Sequence, residues 1–317
     1  MASTLERRAG GEAGPAPPRL RAERPRYGEK AVLAALWLCG AVSILTTVGI
    51  VVVLFVDASS FFASVSWVSF LTGTEWLPYF ESSGNFGVLP LVNGTLLVTA
   101  IALLVAVPVG LCAAIYLSEY APARVRGMLK PLLEVLAGVP TIVLGYFALT
   151  FVTPVLRRLV GVDTVDIFNA ASAGIVMGIM IVPTVASLSE DALHAVPVGL
   201  RAGAYGLGAR RRHVALRVVT PAALSGIVAS IILGMGRAIG ETMIVAVAAG
   251  NLPAMTANPF SQVQTMTAYI VQAVGGEASR GSLTYQSIFA VGALLFLMTL
   301  GLNLIAQRLV RRYRQEY

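Results

Sequence analysis

The sequence predicts an all-α membrane protein with six transmembrane helices, and three observations lead to this fold class. Of the 317 residues, 56% are hydrophobic and only 12% are charged, whereas soluble domains carry about 25% charged residues. The apolar residues form runs long enough to cross a bilayer as helix, which needs about 20 residues. The basic residues concentrate in alternate loops. Helices are expected because lipid offers no hydrogen-bond partners to an open backbone.

Two parts of the chain differ in composition. Residues 1–28 are rich in Pro, Gly, Ala and Arg and lack an apolar period, which predicts a disordered tail. Residues 29–317 are predicted to form one six-span domain. The first span is too long for a signal peptide and lacks a small-residue cleavage pattern. Hydropathy places the six spans at residues 31–56, 90–118, 132–156, 170–188, 221–250 and 285–307.

The basic residues predict the orientation of these spans. Of the 23 Lys and Arg residues, all but four lie in the tail, in the loops after spans two and four, or at the C-terminus; the four are Arg157, Arg158, Arg237 and Arg280. Basic loops stay on the cytoplasmic side of a membrane. We therefore expect a multi-pass protein of the cell membrane with both termini in the cytoplasm.

The most unusual stretch, Gly234 to Asn251, carries Arg237 and Glu241 inside the fifth predicted span. Residues four apart share a face of a continuous helix, and intramembrane charges usually face a bundle interior or a watery path. Arginine offers a planar fork of donors suited to oxyanions. We predict that Arg237 attracts or gates an anion and that Glu241 pairs with it when the path is empty. A purely structural ion pair is the alternative.

Two pairs of glycines have the spacing that permits close helix approach in membranes. Gly174 and Gly178 lie in span four, and Gly236 and Gly240 flank Arg237. For the second pair we expect a role in helix packing or in bending during gating.

Two long segments are predicted on the outward side. Residues 57–89 contain Trp67 and Trp76, which could form an aromatic belt at the headgroup level. Residues 261–274 mix polar and apolar positions and could form a short helix lying on or re-entering the outer surface. A plain connecting loop is the alternative for either segment.

Several kinds of chemistry find no support in the sequence. A phosphate-binding P-loop needs a Gly-Lys pair followed by Ser or Thr, but Lys30 and Lys130 are the only lysines and neither fits. No hydrolase motif occurs, and two histidines and two cysteines in different segments suggest no metal site. We expect no catalytic residue, no metal and no cofactor, and no nucleic-acid partner, because topology accounts for the basic charge.

The longest predicted inward loop, Arg201 to Ile227, contains a Gly206-Leu207-Gly208 interruption, a basic cluster and Pro221 before the next span. These features predict two short helices at the cytoplasmic surface. The loop resembles the EAA-type coupling loop of permease subunits in bacterial ABC importers. Gly208, Val218 and Pro221 match that pattern, whereas Ala202, Gly203 and Thr220 stand where the family has Glu, Ala and Leu. The resemblance implies an ATPase-coupling role for residues about 201–221, including Gly203, Ala204, Gly208 and Pro221.

Within that superfamily, four stretches resemble the PstC-type permease subunits of high-affinity phosphate importers. They begin at Gly87 (GVLPLVNGTLLVTAIALLVAVPVGLCAAIYLSEYA), Lys130 (KPLLEVLAGVPTIVLGYFAL), Arg201 (the coupling loop) and Gly236 (GRAIGETMIVAVAAGN). The resemblance implies the type I ABC importer permease fold for residues 29–317. It further implies phosphate import driven by ATP hydrolysis on a separate subunit. The implied partners are a second, PstA-like permease, a pair of PstB-like ATPases and an extracytoplasmic PstS-like phosphate-binding protein, all gathered at the lipid bilayer.

Three alternatives to phosphate import stay open at this point. The permease could carry another oxyanion such as sulfate or molybdate, because residue chemistry alone indicates only an anion. An ion-coupled carrier would use Glu241 as a protonatable site. Such carriers often show repeated halves, and this sequence has no clear internal repeat. A non-transporting scaffold or sensor would use the 201–227 loop only as a partner dock.

Overall fold

The computed structural model describes residues 27–78, 85–277, 279 and 281–313. The predicted disordered tail therefore lies outside the described residues, apart from the start of the first helix. The described part is helical, with one antiparallel bridge between Trp76 and Phe86. The helices are α1 Tyr27–Ser64, α2 Trp67–Thr72, α3 Leu89–Ile115, α4 Ala123–Ala137, α5 Thr141–Phe147, α6 Thr153–Val160, α7 Ala170–His194, α8 Val198–Gly206, α9 Arg211–His213, α10 Thr220–Ala222, α11 Leu224–Gly240, α12 Met243–Ala248, α13 Met266–Gln272 and α14 Leu283–Tyr313.

Residues 1–51 and 52–317 are two units. In the first unit, the described part of α1 is an apolar helix with exposed side chains such as Val32 and Trp37. The second unit is compact. Its centre is the pair α3 and α7, which pack along most of their length. A Cβ added at Gly174 or Gly178 of α7 would lie 2.7 Å from Ile101 or 2.8 Å from the Ala102 carbonyl. The glycine spacing in span four therefore does permit close helix approach.

Five segments are long and apolar enough to cross a membrane, and a sixth results if one bent pair counts as a span. The segments are Gly28–Ser64, Leu89–Tyr120, Thr141–Val160, Ala170–His194, Leu283–Arg308 and the bent pair Arg211–Ala222 with Leu224–Gly240. Their order agrees with the predicted spans. The α3 and α5 segments continue through wide π-helical turns at Tyr116–Tyr120 and Ala148–Val152.

The predicted third span, 132–156, begins too early. Residues 132–137 belong to α4, a separate basic and amphipathic helix, and the spanning segment starts only at Thr141. Between them lie Gly138 and Pro140. A residue before proline is pushed away from helical geometry, so Val139 ends the helical path and hydropathy alone misses the break.

The predicted fifth span, 221–250, is wrong as a continuous helix. A 71° bend separates the segment ending at Ala222 from α11, and α11 ends at Gly240. Glu241 has extended backbone angles, φ −66° and ψ 134°, and α12 begins at Met243. Arg237 and Glu241 therefore do not share a helix face.

The two ends of the compact unit differ. The "loop end" holds residues 195–222, and the "aromatic end" holds residues 66–78, 85–88 and 251–277. At the aromatic end Trp76 is only 2% exposed and contacts Phe70, Phe86 and Tyr269 edge to face. The expected headgroup position is thus wrong for Trp76, although Trp67 is exposed. The residues of α13 from Met266 to Tyr269 are buried, so this helix enters the bundle and does not lie on its surface.

Candidate functional site

Arg237 lies in the last turn of α11, within a membrane-spanning segment. Its Nη1 donates to Thr184 Oγ1 of α7 at 3.1 Å, and both residues are half-buried. Thr184 is the only hydrogen-bond partner of Arg237 among the described residues. A guanidinium has five N–H donors, so most of the donor capacity of Arg237 stays available to a ligand.

Glu241 occupies the break between α11 and α12. Its Oε1 accepts hydrogen bonds from the backbone amides of Met243 at 3.0 Å and Ile244 at 3.3 Å, amides at the start of α12 that have no partner within that helix. The Thr267 hydroxyl donates to the Glu241 carbonyl at 2.7 Å. The carboxylate thus caps α12, the backbone carbonyl is bonded to Thr267, and the carboxylate is not paired with the arginine.

The predicted ion pair between Arg237 and Glu241 does not form in this structure: no salt bridge joins these two described residues. The reason is the helix end at Gly240, which turns the Glu241 backbone out of the helical path. The site therefore combines an arginine held by a neutral hydroxyl with a nearby carboxylate occupied by backbone amides. Such an arrangement can receive an oxyanion at the guanidinium.

Gly236 and Gly240 have open space around them. A Cβ added at either position would meet nothing within 4 Å, in contrast to the tightly packed glycines of α7. Among the described residues, no helix packs closely against either glycine. A role in gating, or in contact with a second permease subunit, stays a prediction.

The loop end confirms the predicted pair of short helices around the Gly208 interruption. The Ala209 amide donates to the Ala204 carbonyl at 3.1 Å, and the Gly208 amide donates to the Tyr205 carbonyl at 2.9 Å. This bonding pattern ends a helix with a residue in the left-handed region, and Gly208 has φ +80°. Gly203 and Pro221 are exposed, whereas Ala204 packs on a small apolar core.

One buried carboxylate anchors this loop to the end of α3. Glu119 is 8% exposed, and its Oε1 accepts from Arg201 Nε and Nη2 at 3.2 and 2.9 Å. Arg201 also donates to the Val196 and Leu193 carbonyls. Arg211 donates to the Glu119 carbonyl and stacks over Tyr120 at 5.0 Å. The loop is therefore a rigid surface attached to the bundle.

A second network joins α4 to the end of α7. Glu190 is fully buried and forms ion pairs with Arg126 and, at 3.0 Å, with Lys130. Lys130 also contacts Asp191 at 2.9 Å. The hydrogen bonds to Asp191 and Glu190 raise the pKa of Lys130 above its usual value of 10.5, so this lysine stays charged throughout the physiological range.

Sequence reasoning missed Thr184, Glu119 and Glu190. The two carboxylates were detectable in principle, because an acidic residue at the basic end of a span needs a cationic partner once it is buried. Thr184 carried no such signal. No group of three or more His, Cys, Asp or Glu side chains is placed to hold a metal ion in the part of the chain that the structure describes.

Comparison with known proteins adds the family. Residues 106–315 match the family described as the binding-protein-dependent transport system inner membrane component. The chain is 34% identical over 263 residues to the probable ABC transporter permease protein YqgH of Bacillus subtilis, covering 82% of this chain and 84% of the relative. It is 32% identical over 299 residues to the phosphate transport system permease protein PstC of Mesorhizobium japonicum, covering 89% and 90%.

Solved structures show the same fold at lower identity. A bacterial ABC transporter involved in import of the polysaccharide alginate matches with a TM-score of 0.57 and 16% identity, covering 92% of this chain and all of the other. The inward-facing MetNI methionine ABC transporter matches with a TM-score of 0.56 and 17% identity, covering 72% and 97%. The all-α bundle is therefore the fold of type I ABC importer permeases. The chain belongs to the family of binding-protein-dependent ABC transporter inner membrane permeases, in its PstC-type branch.

Proposed function

We propose that this protein is the permease subunit that carries inorganic phosphate across the cell membrane, as half of a heterodimeric pathway. The observation that carries the proposal is Arg237, a half-buried arginine in a spanning segment whose described partner is a neutral hydroxyl. An unpaired guanidinium in a membrane is costly and suits a bidentate oxyanion. The relatives named as phosphate permeases support phosphate over sulfate or molybdate.

The energy is proposed to come from ATP hydrolysed by a separate PstB-like pair of subunits, since this sequence lacks a P-loop. The surface for them is the loop end, where exposed Gly203 and Pro221 flank the rigid turn at Gly208. Arg201 fixes this surface to Glu119 after α3 and to the Leu193 carbonyl of α7. A movement of the ATPase subunits would therefore be passed on to these helices and not absorbed within the loop. The loop end then lies in the cytoplasm, together with both termini.

Two further partners follow from the same reasoning. A PstA-like second permease would cover the open face of α11 around Gly236 and Gly240, where the exposed Leu233 lies as well. A PstS-like phosphate-binding protein would approach the aromatic end from outside. The part of the chain that precedes α1 is proposed to lie in the cytoplasm as well.

Uptake measurements test the proposal directly. Radiolabelled phosphate and sulfate are supplied side by side to phosphate-starved cells that lack other phosphate importers, with and without this gene. We expect phosphate uptake alone to depend on the gene and to be lost in Arg237→Gln. The matched control is Arg158→Gln, which removes an exposed arginine at the end of α6.

Three results would contradict the proposal. Normal uptake by Arg237→Gln at normal expression would remove the arginine from the pathway. Loss of sulfate uptake in place of phosphate uptake would change the substrate. Phosphate uptake without any ATPase subunit, coupled to an ion gradient, would make the protein a secondary carrier.

A further inference from the structure

We propose that α4 is a membrane-surface helix that binds anionic phospholipid along one exposed face. This face, the "lipid stripe", consists of Arg124, Met128, Leu132 and Val135. The acyl chains of the lipid cover the three apolar side chains, and its phosphate accepts hydrogen bonds from the arginine. This contact is independent of the ion that the protein carries, since it involves no residue of the Arg237 site.

The helix α4 lies directly between two spanning segments. Only residues 121–122 separate it from the segment that ends at Tyr120, and only residues 138–140 separate it from the segment that begins at Thr141. Three residues reach at most about 11 Å, so neither end of this 15-residue helix can move far from a spanning segment. Because those two segment ends are consecutive and lie on the same side of the bilayer, α4 lies along the level at which lipid meets water.

The side chains of α4 are arranged around its axis as in helices of membrane interfaces. Residues three and four apart share a face, and Met128, Leu132 and Val135 are 68%, 61% and 69% exposed. The apolar residues of the neighbouring face are half-buried; they are Val125, Leu129, Leu133 and Leu136. The polar side carries Arg126 and Lys130, which pair with carboxylates of α7. A helix with basic residues on its polar side and an open apolar face is typical of a membrane surface.

The surface that follows α4 indicates lipid as the occupant of the lipid stripe. The next spanning segment begins at Thr141, and its residues Ile142, Val143 and Tyr146 are 50%, 54% and 64% exposed. The exposed apolar surface thus passes from α4 into a segment that crosses the membrane. A phospholipid at this level places its head group beside α4 and its acyl chains along apolar side chains.

Arg124 supplies the charge at one end of the lipid stripe. Its side chain is exposed and has no hydrogen bond or ion pair with any residue that the structure describes, unlike the other basic residues of α4. Its long apolar stem lets the guanidinium reach the head group beside Met128. A guanidinium binds phosphate oxygens bidentately, and a basic residue near the surface favours anionic lipid. Glu134, the only carboxylate of α4, lies about 100° around the helix from Val135 and does not share the stripe.

Fluorescence quenching in the assembled transporter tests the lipid stripe. The full complex of this chain with the subunits that accompany it is reconstituted in liposomes, with Cys39→Ala and Cys112→Ala removing the native thiols. The fluorophore NBD is attached at one apolar position of the stripe at a time, through Met128→Cys, Leu132→Cys or Val135→Cys. We expect quenching by lipids that carry a nitroxide on the acyl chain and protection from aqueous iodide. Gly127→Cys is the matched control, because this exposed position lies on the polar side with open space around it and should be quenched by iodide.

Two results would overturn the membrane contact. Iodide quenching at the stripe as strong as at Gly127 would mean that the stripe faces water. Protection of the stripe from both quenchers would mean that protein, such as the second permease, covers it. The three labelled positions are independent, so a poorly assembled variant at one of them leaves the other two to decide.

The choice of an anionic lipid is tested with the label at position 128. The nitroxide is carried either by phosphatidylglycerol or by phosphatidylcholine in otherwise identical mixed liposomes. We expect phosphatidylglycerol to be enriched about 5-fold beside the label, and Arg124→Gln should abolish this preference. The control Arg158→Gln removes an exposed arginine at the end of α6 and should leave it unchanged. Equal quenching by the two lipids, or a preference that survives Arg124→Gln, would overturn the proposed anionic site.

Discussion

The turn that ends α8 allows a quantitative test of the loop end as a rigid surface. Gly208 has φ +80°, and a Cβ added there would meet no atom of the described residues within 4 Å. Gly208→Ala therefore introduces no clash, and its cost is confined to the backbone. Placing an L-residue in the left-handed region costs about 1–2 kcal/mol, which corresponds to a local opening equilibrium larger by about 5- to 30-fold.

Hydrogen–deuterium exchange of the assembled complex measures this opening. The reporting amides are those of Leu207, Gly208 (or the residue that replaces it) and Ala209, all bonded back into α8, and their exchange should accelerate by that factor. Gly203→Ala is the matched control because Gly203 also has open space but lies inside α8. There alanine should slow exchange, since it gains about 1 kcal/mol of helix propensity. Gly208→Asn should lie between wild type and Gly208→Ala, because asparagine tolerates the left-handed region better.

ATPase coupling should follow the same order of variants as hydrogen exchange if the turn at Gly208 maintains the shape of the coupling surface. Phosphate-stimulated ATP hydrolysis should fall most in Gly208→Ala and less in Gly208→Asn. Equal exchange in Gly208→Ala and wild type would refute the backbone argument. Faster exchange with undiminished coupling would show that the turn is strained as described but does not transmit the ATPase signal.

Three further variants test the charged contacts. Thr184→Val removes the only described partner of Arg237, and phosphate uptake should fall by about 10-fold or more, the value of one hydrogen bond to a charged group; unchanged uptake would mean that Thr184 does not position the guanidinium. Glu119→Gln weakens the largely buried contact with Arg201 and should destabilise the complex by about 1–3 kcal/mol in thermal unfolding; an unchanged Tm would contradict the anchoring role. Hydrogen bonds to Asp191 and Glu190 raise the pKa of Lys130. The charged Lys130 side chain therefore stabilises the fold fully below pH 10.5, and this stabilisation is lost as the pH rises through the raised pKa. Lys130→Met should lower Tm between about pH 7 and 9, and the difference from wild type should shrink toward about pH 11.

Hydropathy predicted the number and order of the spans because a helix must remain apolar for the whole thickness of the lipid. Hydropathy failed where backbone geometry determines the end of a helix or the path of a loop. The break at Gly138–Pro140 lies inside an apolar run, so composition does not show it, but proline geometry does. The pairing of Glu119 with Arg201 depends on how the loop folds back onto α3, and no local sequence rule contains that information.

The expectation that Arg237 and Glu241 share a helix face is wrong for a different reason. Four-residue spacing predicts a shared face only if the helix continues. The sequence Gly240-Glu241-Thr242 carries a helix stop followed by a start, since glycine often ends helices and threonine and acidic residues favour the first turn of the next one. The candidate residues stand out by their charge within an apolar run, but their contacts required the break to be recognised.

The break also changes how Glu241 is expected to act. The Glu241 carboxylate accepts hydrogen bonds from the Met243 and Ile244 amides, so an anion arriving at Arg237 has no ion pair to disrupt. Glu241 could pair with Arg237 only after breaking these two hydrogen bonds. Glu241→Gln separates the two roles, because glutamine keeps a carbonyl oxygen for the amides but loses the charge. If the carboxylate only caps α12, uptake should be retained in Glu241→Gln and reduced in Glu241→Ala, whose lost cap costs about 0.5–2 kcal/mol. If instead the charge pairs with Arg237 in another state of the transport cycle, both variants should lose uptake equally, and the capping interpretation would be refuted.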